Sequence, residues 1–124
     1  MLGSAAQMYK SVGLYGEIEE ASPHKLISML FDGVLQRIAT AKKELEVKHF
    51  AEKGLLLGQA ITIVASLKSY LDMDKGGELS QHLEALYDYI ERRLLSASLA
   101  NDVAILDEVT GLLLEIKGAW DQIA

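Results

Sequence analysis

The chain has 124 residues, half of them hydrophobic and only 6% aromatic, with one Pro, no Cys and a formal net charge of −6. That length holds one domain, 1–124, large enough to bury roughly two-thirds of its unfolded surface, and its composition suits helices better than strands. The charge argues against non-specific nucleic-acid binding, and the lack of Cys excludes disulfides and thiolate metal sites.

Residues 1–20 lack a long periodic pattern. Met8, Val12 and Tyr15 fall at i, i+4 and i+7, a spacing that allows a short amphipathic turn of helix, weakened by Gly13 and Gly16. The expectation is a short, mobile helical segment that lies across the domain.

The bundle itself, residues 22–123, opens at "SPHKLISMLFDG", with Ser22 as N-cap and Pro23 at the first helical position. This helix runs to about Val47. Leu26, Ile27, Leu30, Phe31, Val34, Ile38, Ala41 and Leu45 share one face. Met29 falls on the polar side and Leu35 at the stripe's margin. The second helix, about Phe50 to Leu71, is apolar over half its circumference. Its other face carries Gln59, Thr62, Ser66 and Ser69, small or neutral residues that fit a helix wedged between two neighbours. "DMDKGGELS" is a loop.

The third helix, about Glu78 to Ala100, stacks Leu79, Leu83, Leu86, Tyr87, Ile90, Leu94 and Ala97, while Leu95 and Leu99 project away. Asn101 or Asp102 caps the fourth, about Val103 to Ile123, with Ile105, Leu106, Val109, Leu112, Leu113, Ile116, Trp120 and Ile123 on its core stripe. Helices of this length joined by short turns make an all-α, up-down antiparallel four-helix bundle.

Chemistry is scarce. A di-iron bundle needs two Glu-x-x-His pairs, and only Glu46–His49 matches, at a helix end. His24 and His82 lie on flanks expected to be exposed, without an arranged nucleophile. Tyr87 and Tyr89 read as core tyrosines with solvated hydroxyls. No strand-linked Gly-rich phosphate loop is present. The reading is a non-enzyme with no cofactor and no metal.

Several features point outward instead. Gly111 and Gly118 lie seven residues apart on one face of the fourth helix with Leu114 between them, although each Gly costs a helix interior up to about 1 kcal/mol. A Gly floor with a Leu rim suits a docked helix or strand of another chain. Leu95 with Leu99, and Met29 with Leu35, are further off-core pairs. Met8, Tyr9, Val12 and Tyr15 are the candidate cover for such a patch.

The stretches "ASPHKLISMLFDG", "GGELSQHLEALYDYIERRL" and "LANDVAILDEVTGLLLEIKGAW", in this order, resemble the flagellin export chaperone (FliS) family from Tyr9 to Ile123. The chain departs from it at Ile18–Glu20, Phe31 and His82, where the family often has Val-x-Thr, Tyr and Asn. The resemblance implies a cytoplasmic chaperone, without membrane insertion, that binds the disordered C-terminal segment of flagellin. Binding prevents premature polymerisation and keeps flagellin competent for flagellar type III export. It also implies contacts with the export gate and flagellar regulators, and a gate role for the N-terminal segment. The rival reading is a homo-oligomeric bundle or adaptor, down to a weak homodimer, in which the same outward apolar residues pair with themselves.

Overall fold

Ser22 starts the first helix as its sequence demands. In the computed structural model, which describes residues 22–123, its backbone is extended and its hydroxyl accepts the Lys25 N–H at 3.2 Å. Pro23 supplies a fixed φ where no N–H is needed. Four helices follow: α1 Pro23–Glu46, α2 Phe50–Ser69, α3 Gly77–Ala100 and α4 Val103–Asp121. The expected boundaries agree to within two residues. Residues 1–20, with the candidate cover Met8, Tyr9, Val12 and Tyr15, lie outside the described residues.

The turns account for the topology. Lys48 adopts a left-handed φ of 62° between α1 and α2. Between α2 and α3 the Asp72 carboxylate accepts the N–H groups of Asp74 and Lys75, at 3.1 and 2.9 Å. Only Gly fits at 76, where a Cβ would run into the Ser80 hydroxyl and approach the Asp72 carbonyl to 2.6 Å. Gly77 takes φ +56°, a conformation that Gly adopts without steric cost. Asn101 ends α3 in the left-handed region, and Asp102 caps α4 through the Ala104 N–H at 2.9 Å. Both residues of the pair offered as alternatives therefore cap a helix.

Such short turns force antiparallel neighbours. α1 packs on α2 and α4, and α3 on the same two, so the bundle is a closed ring of four. Its centre is almost wholly aliphatic: Leu30, Val34, Leu57, Val64, Ile90, Leu94, Leu106, Val109 and Leu113 are fully buried. Each such side chain stabilises the fold by roughly 1.5–3 kcal/mol.

Every seam also carries a polar link that pins its register. Arg37 donates to Gln59 across α1–α2 at 2.9 Å, and Lys68 to Asp88 and Glu91 across α2–α3 at 2.6 and 2.8 Å. Glu108 accepts from Tyr89 and Arg93 across α3–α4, at 2.5 and 2.9 Å. Lys42–Asp107, at 2.8 Å, ties α1 to α4. Such exposed pairs contribute little energy, and their main effect is on alignment.

Two expectations need correction. Met29 is buried in the core, because α1 lies against α2 along the most extensive interface of the ring and buries a wider arc than its apolar stripe. Leu35 is half-buried and packs on the core. The interior is also not free of charge, since Lys53 is 6% exposed. Its ammonium donates to the Ser98 carbonyl at 2.6 Å, near the C-terminus of α3 where carbonyls lack intrahelical partners. The face of α2 divides as well: Gln59 and Ser66 are covered, Thr62 and Ser69 exposed.

α2 is long and apolar enough to cross a bilayer by length and composition. Its packing between α1 and α3 already accounts for its apolar flank. Leu94→Ala should lower unfolding free energy by about 2–5 kcal/mol. Lys53→Ala, which leaves the Ser98 carbonyl without its cation, should cost about 1–3 kcal/mol, both read from urea titrations.

Candidate functional site

The core stripes continue to the pole where α1 and α3 begin and α2 and α4 end, and there the four helices stop covering one another. An apolar pocket of about 390 Å³ opens between them. α1 contributes Ile27 and Phe31, α2 contributes Leu67, and the turn after α2 contributes Leu71. Leu79, Leu83 and Tyr87 come from α3, Ile116 and Trp120 from α4. Glu115 is the one charged side chain of the lining. Leu79, read as a core residue, is 68% exposed because it sits in the first turn of α3, where no neighbouring helix reaches over it.

One wall is clasped across the chain. The His24 ring stacks on Trp120 at 4.7 Å between centroids and 11° from parallel. The Trp120 indole N–H donates to the His24 carbonyl at 3.2 Å, and the His24 Nε2 lies 3.0 Å from the Trp120 carbonyl. His24 is thus half-covered by α4 rather than exposed on a flank, a pairing that sequence separation conceals. The clasp joins the first turn of α1 to the last turn of α4.

Burial alone pushes the Tyr87 phenol up to about 12, and Tyr87 is 4% exposed, so its hydroxyl is not the solvated group expected. Tyr89 differs: its hydroxyl reaches Glu108 on the surface.

The residues expected to meet a partner fall in separate places. Asp32 faces Lys117 at 3.9 Å and Lys42 faces Asp107, so three residues inward from the first pair Leu35 stands level with Leu114 on the α1–α4 seam. Leu114 is 53% exposed, and Gly111 and Gly118 lie on the same outward face of α4. Leu95 and Leu99 are exposed on α3, on the opposite side of the ring, flanked by Glu91 and Ser98, which face α2. Met29 joins neither patch. Val47, Phe50 and Leu55 are exposed too, although the sequence reading passed over them.

A Cβ at Gly54, Gly58, Gly111 or Gly118 would meet nothing within 4 Å, so the chain's own packing requires none of these glycines. Among the described residues, Glu44, His49 and Glu52 gather ligand-type atoms at the α1–α2 corner, with the His49 Nδ1 2.8 Å from the Glu44 carboxylate. Glu46, of the matching Glu-x-x-His, is not part of that group. The pole pocket holds one carboxylate and no histidine, a lining suited to holding an apolar group rather than to acid–base or metal chemistry.

The family described as "Flagellar protein FliS" matches residues 5–124. The chain belongs to the FliS family. It is 42% identical over 120 residues to the flagellar secretion chaperone FliSB of Pseudomonas aeruginosa, covering 97% of this chain and 95% of that one. It is 44% identical over 122 residues to the flagellar secretion chaperone FliS of Salmonella typhimurium, covering 98% and 90%. With FliS of Vibrio cholerae, another flagellar secretion chaperone, it shares 38% identity over 117 residues, covering 94% and 86%.

In this FliS-family chain Gly111→Ala and Gly118→Ala should each raise unfolding free energy, by up to about 1 kcal/mol in urea titrations, because the added methyl meets no clash. Alkaline unfolding should report Tyr87. The fold favours its neutral form, so stability is unaffected below the ordinary phenol value of 10.0 and declines as pH climbs toward about 12. Lys68, raised to about 12 by its bonds to Asp88 and Glu91, loses its charge over the same range. Comparison with Tyr87→Phe isolates the phenol, and the variant's stability should fall less steeply with pH.

Proposed function

We propose that this protein is a cytoplasmic export chaperone that binds the disordered C-terminal segment of flagellin. The observation that carries this reading is the apolar pole pocket, open to solvent in a protein whose relatives are named flagellar secretion chaperones. Binding covers surface that flagellin uses to polymerise and holds the client in a form fit for flagellar type III export. A disordered client suits such a bundle: it wraps a wide surface and loses ordering entropy on binding, so the complex is specific yet reversible.

Leu114 with Gly111, Gly118 and Leu35 on the α1–α4 seam, and Leu95 with Leu99 on the far side, are further docking points for that segment. Residues 1–20, with Met8, Tyr9, Val12 and Tyr15, act as the gate that the client displaces. Release follows handover to the export gate, with no nucleotide or cofactor, and regulators of flagellar assembly share the exposed surface.

Calorimetry with the C-terminal segment of the cognate flagellin should give heat, and circular dichroism should show a gain of helix. Neither signal from the cognate segment sinks the proposal. Leu114→Glu should weaken binding while leaving the melting temperature nearly unchanged, and unchanged affinity removes the α4 face from the site. A tight dimer in light scattering that excludes the segment favours self-association through the same residues.

A further inference from the structure

Among the described residues, Tyr87 is the buried lining residue whose polar group the fold leaves unused. It is 4% exposed, it lines the pole pocket, and among the described residues its hydroxyl has no hydrogen-bond partner. Buried polar groups are paired in the large majority of cases, so an orphaned phenol on the wall of an open apolar pocket requires a reason. A group seated there that carries an acceptor supplies the pairing the fold lacks, worth about 2- to 12-fold in affinity. A purely hydrocarbon occupant therefore fits the walls but not the donor.

The second polar feature is Glu115 on α4, which places a single carboxylate beside otherwise apolar walls. Its charge favours a basic residue in whatever docks.

We infer that Tyr87 is a specificity-determining residue of the client site. Its hydroxyl donates to a backbone or side-chain amide oxygen of the flagellin segment, whose apolar side chain fills the pole pocket and whose neighbouring Lys or Arg meets Glu115. This rests on the chaperone reading above. It adds which pocket takes an anchor and what chemistry the anchor carries: an apolar side chain, an acceptor and a nearby cation. The Tyr87 ring packs in the core, but its hydroxyl makes no bond within the free fold, which separates the hydroxyl's role from a structural one.

The test is Tyr87→Phe in the full-length protein, with thermal unfolding of the free protein and calorimetry against the C-terminal segment of the cognate flagellin. Removing an unpaired buried hydroxyl should leave the melting temperature equal or higher, while affinity for the segment falls by about 2- to 12-fold. Glu115→Gln should also weaken binding, and the loss should shrink at high salt. A lower melting temperature would show that the hydroxyl is paired within the fold and overturns the inference. So does unchanged affinity in a protein whose wild type binds the segment. Tighter binding by Tyr87→Phe also overturns it, since the phenol would then hold the chain's own N-terminal segment against the client. A wild type that binds no segment is a distinct result, which removes the chaperone reading and this inference with it.

Discussion

The packing of four aliphatic stripes against one another sets everything else in this molecule. Leu30 and Val34 of α1, Leu57 and Val64 of α2, Ile90 and Leu94 of α3, and Leu106 and Val109 of α4 are fully buried and close the ring. Helices packed this way cover one another along their lengths but not over their ends. Where the stripe runs on to Leu79, Leu83, Ile116 and Trp120, apolar surface outlasts the helices available to cover it, and the pole pocket results. Fold and site thus have the same physical origin.

The polar groups follow from that geometry. Every seam has at least one polar link, and most of these links lie near the surface, where they align the helices without adding much stability. Lys53 is the exception, since its ammonium reaches the end of α3 and meets a carbonyl the helix cannot satisfy. The His24–Trp120 clasp does comparable work at the opposite pole, joining the start of α1 to the end of α4, which a four-helix ring brings side by side. Tyr87 breaks the pattern, as a buried donor without an internal partner on the wall of the pocket.

Much of this was legible without coordinates. Ser22 and Pro23 announced α1, the Gly76–Gly77 pair announced the long turn, and the 3.6-residue spacing announced all four helices, because capping, turn chemistry and periodicity act over a few residues. The family resemblance was legible for a similar reason, since its motifs are local. The candidate site was legible only in part. Leu95, Leu99, Leu114, Gly111 and Gly118 are outward, as their angular positions implied. Met29 is not, because a helical wheel has no information about how closely a neighbour approaches, and α2 covers more of α1 than its stripe alone requires.

The sequence by itself determined the helices and their order, since each depends on residues near in the chain. The tertiary structure decided which ends of those helices meet. It seated Lys53 against Ser98 and His24 against Trp120, 45 and 96 residues apart. It left an opening between Phe31, Leu71, Leu83 and Trp120, with Tyr87 in its wall and, among the described residues, no partner for the Tyr87 hydroxyl. No periodicity encodes a gap at a pole: it is a property of four helices together, fixed by where each one ends relative to the other three.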